Sequence, residues 1–519
     1  MPKFLSVLRT AAIAAALCAF SGVSLAQPPK AAQNQPSDVY YEIFVRAFYD
    51  SKGNGVGDLN GITQKLDYIK SLGVSGIWLM PINPSPSYHG YDITDYEAIN
   101  PQYGTMQDFK HLLDEAHKRG IKVVMDMVIN HTSDQHPWFK AALNPNDPHH
   151  DWYLWAKPGT DIHAISAVGG PAWHRASNGQ YYEGTFTGAM PDLNYDNPVV
   201  RKTMIEVGRF WLHQGVDGFR LDAAQHIYDD LRTDMDDPIA LQKNVRWWSE
   251  YRHALEAVDP NVWLVGEVAR QNPDDLTPYL GPLNTVFNFP VATQLIESVR
   301  QERNLGIGSG LQFTYAAYRT HAGGHFDDAP FLSNHDQERV MSQLDDNMAH
   351  MRLAAALLLT LPGEPFIYYG EELGMQGTKP DEDIREPMRW YRNGKGPGTA
   401  SWKDWSTSDG ADVSVQAEDA DAGSLLNLYR TLIGWRKQVS ALRDGALTNV
   451  PADDPHVLAY TLADAQSRVL VVHNLSRDVR VFDLGPNVHV SSVLLQTKPG
   501  AVLANGKLTL SGYATAIVQ

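Results

Sequence analysis

Gly218-Phe219-Arg220-Leu221-Asp222 closes a short apolar run that begins at Val216, and it ends on charge. Side chains alternate along an extended strand, so Arg220 and Asp222 point to the same side. A strand end that is buried without purpose should be apolar, and this one is not. The same feature recurs along the chain. Residues 121–129 form a strand-like run whose end reads Asp126-Met127-Val128-Ile129-Asn130-His131. Residues 262–266 lead into Glu267, and residues 331–334 lead into His335-Asp336.

Four more strand-like runs, at 39–44, 76–80, 285–289 and 365–369, bring the number to eight. Helical patterns lie between most of them, at 62–72, 106–119, 199–212, 239–257 and 348–359. Short apolar strands alternating with helices imply parallel pairing through βαβ units. Eight of them fit an α/β fold of the closed (β/α)8 TIM-barrel type better than an open sheet. No Gly-x-Gly-x-x-Gly turn follows an early strand, which removes the dinucleotide-binding alternative. The barrel is expected over residues 38–129 and 198–442. The long third connection, 130–197, is rich in Asp, Pro, Gly, His and Trp, and reads as a small inserted domain rather than a plain loop. Beyond 442 the strand-like runs at 457–462, 469–473 and 479–484 predict a C-terminal all-β sandwich domain over 443–519.

Composition bounds the function. The chain has 519 residues, 43% hydrophobic and 20% charged, as a folded chain with several modules should. Residues 1–26 read as a secretory signal peptide: Lys3 and Arg9, an apolar run from Ala11 to Phe20, and a small-residue cleavage site at Ser24-Leu25-Ala26. The apolar run falls short of the ~20 residues that span a bilayer. Residues 27–37 read as a polar linker. A secreted or periplasmic location follows. The single cysteine, Cys18, lies inside the signal, after Leu17 where lipid attachment needs a small residue. The mature chain is therefore expected to hold no disulfide, cysteine metal site or cysteine nucleophile. Losing the signal takes away two positive charges and moves the net charge from −17 to −19. So acidic a chain suits neither nucleic acid nor an anionic membrane.

Barrel active sites gather at the C-terminal ends of the strands. There the sequence brings together Asp222, Glu267 and Asp336 with Arg220, His131 and His335. Each alone has a plainer reading, as a helix cap or a structural ion pair. Their coincidence on strand ends carries the inference. Like charges held close in a partly dry site separate carboxylate pKa values into a protonated acid and an ionised nucleophile or base. Glycoside hydrolysis needs that arrangement.

These segments, together with Met190-Pro191-Asp192-Leu193-Asn194 and Tyr88-His89-Gly90-Tyr91-Asp92, resemble the signature stretches of the α-amylase superfamily of glycoside hydrolases. The resemblance runs in order from about Val39 to the C-terminus. It implies a retaining mechanism with Asp222 as nucleophile, Glu267 as acid and base, and Asp336 holding the sugar hydroxyls. Arg220 would keep Asp222 ionised. Tyr91, His131, His335 and Arg385 would contact the reacting glucose, and His226 would lie on the substrate path beyond it. Met190 to Asn194, with Pro84 to Tyr96, is similar to secreted bacterial α-amylases of an intermediate group. Gln225 stands where many of those carry a lysine.

The resemblance also implies calcium. Asn130, Asp192 and the backbone carbonyl of His226 would bind it at the base of the third connection. Asp50, Asn54, the backbone carbonyl of Val56 and Asp58 resemble a second calcium loop, with Lys52 standing where an oxygen ligand is usual. The expected activity is hydrolysis of α-1,4-glucosidic bonds in starch, maltodextrins and maltooligosaccharides by a monomer without organic cofactor. Two alternatives remain at this point: an exo-acting α-glucosidase or glucosyl transferase on short maltooligosaccharides, and a non-catalytic sugar-binding or structural protein on the same barrel.

Overall fold

The computed structural model describes residues 39–322, 326–406, 410, 412–485, 488 and 490–519. The stretches expected to be a signal peptide and a linker lie outside the described residues.

Seven parallel strands curl into one sheet. In spatial order they are Thr285–Val286, Trp263–Gly266, Gly218–Leu221, Lys122–Met127, Gly76–Leu79, Tyr40–Ile43 and Phe366–Tyr368. The expected seventh strand at 331–334 makes no ladder. In its place the backbone around Ala329 to Phe331 bridges the two edges, pairing Ala329 with Phe287 and Phe331 with Phe366. Pro330, which has no N–H to give, explains the broken ladder; its carbonyl still accepts the Phe366 N–H at 2.9 Å. The chain thus closes as a (β/α)8 barrel through one irregular member. The sixth strand is also shorter than its apolar run, because Asn288 caps the helix Phe289–Arg300 through the Val291 N–H.

Alternation sorts the barrel interior into layers. Tyr40, Trp78, Val124, Trp263, Val265, Phe287, Phe331 and Phe366 form one apolar cluster. Tyr40 stacks on Trp263 at 4.8 Å and on Phe366 at 5.1 Å. Two residues further along their strands, Glu42 follows Tyr40 and Asp126 follows Val124, so the next layer up is polar. Asp126 pairs directly with Arg220 across the ladder. The aromatic layer is a dry floor for a charged site.

The third connection leaves the barrel at Asn130 and returns at Asn197, which caps the helix Pro198–Gln214. It holds the helix Pro137–Ala142 and an antiparallel hairpin, Trp173–Arg175 with Tyr181–Glu183. A bridge between His131 and Asp192 closes its base. The C-terminal region is a two-sheet antiparallel sandwich, of five strands and three. Val457, Ala459, Leu470, Val472, Phe482, Leu508 and Leu510 fill the space between the sheets. The alternate residues Leu458, Tyr460 and Leu462 join the barrel's own core instead. Among the described residues, no helix is long and apolar enough to cross a membrane.

Candidate active site

Arg220 organises the barrel mouth. Its guanidinium is buried, with 1% of the side chain exposed, and it touches three carboxylates. Nη1 donates to both oxygens of Asp126, at 2.9 and 3.1 Å, and to Asp222 Oδ1 at 2.6 Å. Nη2 lies 2.6 Å from Glu267 Oε2, which also accepts the Ala223 N–H at 3.0 Å. Trp78 presents its ring 5.1 Å from the guanidinium carbon. Charge-assisted bonds in a dry site are strong, and this one cation holds Asp222 and Glu267 on a single fork.

A second group lies beside it. Asp336 accepts from Arg385 Nη2 at 2.8 Å and lies 3.1 Å from His335 Nε2. Arg385 Nε donates to the His335 carbonyl at 2.8 Å. Tyr91 Oη lies 2.6 Å from His335 Nε2 and 3.0 Å from Asp126 Oδ2, linking the two groups. The Tyr91 ring stacks on His335 at 5.5 Å. Asp336 is 45% exposed and Asp222 10%, so the mouth opens on the Asp336 side.

The environments separate the acids. Burial pushes Asp222 up to about 6, although the Arg220 charge pulls against it, so it is ionised at neutral pH. Burial also raises Glu267, with Arg220 opposing and the Asp222 and Asp336 charges adding to the rise. Partial burial would raise Asp336 as well, but the charge and hydrogen bond of His335 and the charge of Arg385 hold it well below the usual carboxylate range. Two carboxyls raised by burial and shared by one guanidinium thus stand beside a third that is held ionised.

Of the sequence-predicted residues, Asp222, Glu267, Asp336, Arg220, Tyr91, His335 and Arg385 form one bonded network. His131 stands at its edge. Its Nε2 faces the Tyr91 carbonyl at 3.1 Å, and burial lowers its pKa to about 4. His226 is set further out: Gln225 Nε2 lies 2.8 Å from its Nε2, and Phe186 separates it from His131, at 6.0 and 5.3 Å. Sequence reasoning missed Glu42, Trp78 and the role of Asp126. Glu42, whose Oε1 lies 2.6 Å from His335 Nδ1, had a signal: it is the one charge in the apolar run 39–44. Trp78 had none, since a Trp in a buried strand reads as core.

For calcium, the first candidate set fits a cation. Asn130 Oδ1, Asp192 Oδ1, Glu183 Oε1 and Asp230 Oδ1 are all buried without a hydrogen-bond partner. The other Asp192 oxygen takes the Thr185 N–H and hydroxyl, both at 2.7 Å. Among the described residues, no three His, Cys, Asp or Glu side chains converge to hold an ion alone. Amide and backbone oxygens and water would have to complete the shell, as hard cations accept. The second candidate fits poorly. Asp50 accepts the N–H groups of Lys52, Gly53 and Gly55, and Asp58 accepts Ser51 and caps the helix Leu59–Leu72 at Gly61. Asn54 Oδ1 takes the Val56 N–H. That loop is closed by its own hydrogen bonds.

Comparison with known proteins decides the family. A family model described as alpha amylase, catalytic domain, matches residues 42–445. The chain belongs to the α-amylase family. A second model, the alpha-amylase SusG C-terminal domain, matches residues 457–517. The chain is 41% identical to Alpha-amylase 3 of Dictyoglomus thermophilum over 485 residues, which is 93% of each chain. It is 33% identical to a probable oligo-1,6-glucosidase 2 of Bacillus subtilis, covering 86% of this chain and 92% of that one. The crystal structure of an alpha-amylase from H.orenii superposes with a TM-score of 0.86 at 42% identity, over 93% of this chain and 99% of that chain. This family member is therefore a hydrolase or transferase acting on α-glucans.

Proposed function

We propose that this protein is a secreted α-amylase that hydrolyses interior α-1,4-glucosidic bonds of starch, maltodextrins and maltooligosaccharides with retention. The observation that carries this reading is the single Arg220 fork holding Asp222 and Glu267, with the open Asp336 beside it. Two carboxylates on one guanidinium suit the separation of ~5–5.5 Å that retaining enzymes use. Asp222, ionised and aimed by Arg220, attacks the anomeric carbon and forms a glycosyl ester. Glu267 gives its proton to the leaving oxygen, then takes one from the water that cleaves the ester. Asp336, with Arg385 and His335 behind it, grips the hydroxyls of the ring that distorts.

Calcium, bound by Asn130, Asp192 and the backbone carbonyl of His226 with further backbone oxygens and water, would offset the nearby buried acids Glu183 and Asp230 and pin the third connection to the barrel. The signal-like residues 1–26 support export, and substrate polymers too large to enter a cell suit it.

Interior attack is favoured over the exo-acting alternative by the exposure of Asp336, and by the α-amylases among the relatives at 41–42% identity. A maltoheptaose derivative blocked at its non-reducing end tests this. Cleavage of the blocked oligomer is the expected result. Glucose as sole early product from free maltoheptaose, with the blocked oligomer untouched, would move the protein to the exo-glucosidase reading.

A further inference from the structure

Glu42 is 1% exposed, in a strand whose other members are Tyr40, Tyr41 and Ile43. A lone carboxylate there is costly unless a partner answers it. The partner is His335, whose Nδ1 lies 2.6 Å from Glu42 Oε1. Counting hydrogens around that ring settles its state. An ionised carboxylate has none to give, so Nδ1 carries the proton on the Glu42 side. On the other side, Nε2 faces Tyr91 Oη at 2.6 Å and Asp336 Oδ2 at 3.1 Å. Asp336 can only accept. Tyr91 has one proton, and it goes to Asp126 Oδ2 at 3.0 Å, because a carboxylate paired with the Arg220 guanidinium through both oxygens is an acceptor with no hydrogen to give back. Tyr91 must therefore accept from Nε2, and both ring nitrogens carry hydrogen.

We propose that Glu42 is a positioning residue for this site, holding His335 as an imidazolium and thereby fixing the direction of every hydrogen bond from His335 to the nucleophile. The chain of bonds runs from Glu42 through His335, Tyr91 and Asp126 to Arg220 and so to Asp222. It rests on the roles given above to Asp222, Glu267 and Asp336, and names what aligns them. The groups facing the ring are Glu42 from the first strand, Trp78 from the second, Tyr91 from the loop after it, and the charge of Asp126 from the third. Tyr91 in turn carries His89 and Arg220 behind it. Asp336 and Arg385 flank it, and Tyr368 of the last barrel strand stands beside Glu42. Burial works against the imidazolium, yet the charges of Asp336 and Glu42 outweigh it and lift His335 to about 10.

Without charge at position 42 the ring keeps only Asp336 as its close anionic support. A ring that loses its Nε2 proton turns that nitrogen from donor to acceptor. It then draws the Tyr91 proton away from Asp126 and sets a lone pair against Asp336. The first change loosens the grip of Asp126 on Arg220; the second weakens the hold on the distorting sugar. Both act on turnover more than on binding.

The test uses Glu42→Gln and Glu42→Leu in the full-length protein, with p-nitrophenyl maltoheptaoside across acid to alkaline pH. In Glu42→Gln the alkaline limb of kcat/KM is expected to move down by at least about one unit, a loss that approaches tenfold on the limb itself and that acid restores. Glu42→Leu, which cannot orient the ring, is expected to be impaired at every pH. A residue that merely packs would lower the melting temperature without moving the limb, and a Glu42→Gln profile superposing on the wild type overturns the proposal. Nitrogen NMR of the wild-type protein labelled in histidine decides independently of folding in the variants. The His335 signals, identified by their loss in His335→Asn, should both lie in the protonated range at pH 7.5. One bare nitrogen there overturns the proposal, whatever the substrate. A wild type inert on all α-glucosides would instead sink the functional reading and leave the NMR result standing.

Discussion

Two buried acidic clusters, one at the strand ends and one at the base of the third connection, use the same residue types to opposite ends. At the mouth, Asp126, Asp222, Glu267 and Asp336 face Arg220, Arg385 and His335, so the chain supplies its own countercharge. In the other cluster, Glu183, Asp192 and Asp230 have no lysine or arginine bonded to them among the described residues. Burial and mutual repulsion lift Glu183 to about 8 and Asp230 well above its ordinary value, and burial lifts Asp192 to about 7. A buried uncompensated carboxylate costs several kcal/mol, so this cluster must hold either protons or a cation from outside. The difference teaches that partner and solvent, not residue type, decide what a buried carboxylate does. The mouth is built for charge that moves during a reaction, and the other cluster for charge that an ion cancels.

Removing charge from the mouth gives the largest effects. Asp222→Asn is expected to cut kcat on maltoheptaose by about 10⁴-fold or more, measured as reducing-sugar release. Folding should survive, because Arg220 keeps Asp126 and Glu267 and no packing volume is lost. Glu267→Gln is expected to cost about 10²–10⁴-fold on the same substrate but far less on an activated aryl glucoside, whose leaving group needs little protonation. Equal losses on both substrates would remove Glu267 from the acid role and blur the contrast between its environment and that of Asp222.

Much of this contrast was legible in the sequence. Charge at the ends of apolar strands placed Asp222, Glu267, Asp336 and Arg220 together, because alternation and the parallel barrel leave them one destination. Helix and strand spacing gave the order of elements as well. What escaped was set by contacts across the barrel. Glu42 acquires meaning only when His335, 293 positions away, is brought to its side. Glu183 sits in a short hairpin strand with no periodic pattern, and its neighbours Asp192 and Asp230 come from separate loops. The seventh strand was misjudged because Pro330 interrupts the ladder while leaving the apolar pattern intact.

Calcium removal comes next in size. An ion at about 100 times its Kd adds about 2.7 kcal/mol of stability, which in a protein of this length is a shift of a few degrees in Tm. Chelation should therefore lower Tm and activity together, and calcium should restore both. Asp192→Ala should melt at or below the chelated value and gain nothing from calcium, since it removes the unpartnered ligand oxygen and leaves the buried Thr185 donors without their acceptor. Unchanged melting of protein verified as metal-free would leave protons as what balances the second cluster.

The smallest effect sharpens the comparison with a third kind of partner. Glu371, buried behind the last barrel strand, is answered by neither a bonded arginine nor open ligand space but by the Tyr429 hydroxyl at 2.8 Å. Burial pushes it up to about 8, with the Tyr429 bond working against the rise and the neighbouring Glu372 charge adding to it. A hydroxyl stabilises a carboxylate less than a guanidinium does, so this acid keeps its proton at neutral pH. The folded protein then binds a proton that the unfolded chain releases near the ordinary carboxylate value. The stability from that proton is complete below the unfolded value and is lost as pH rises through about 8. Glu371→Gln cannot ionise, and its amide oxygen can still accept from Tyr429. Its Tm should lie close to the wild-type value near pH 6 and fall less steeply towards pH 9, with calcium present throughout to hold the other cluster constant. Parallel melting curves across that range would show that Glu371 is already ionised in the fold, and that a tyrosine suffices where the mouth uses Arg220.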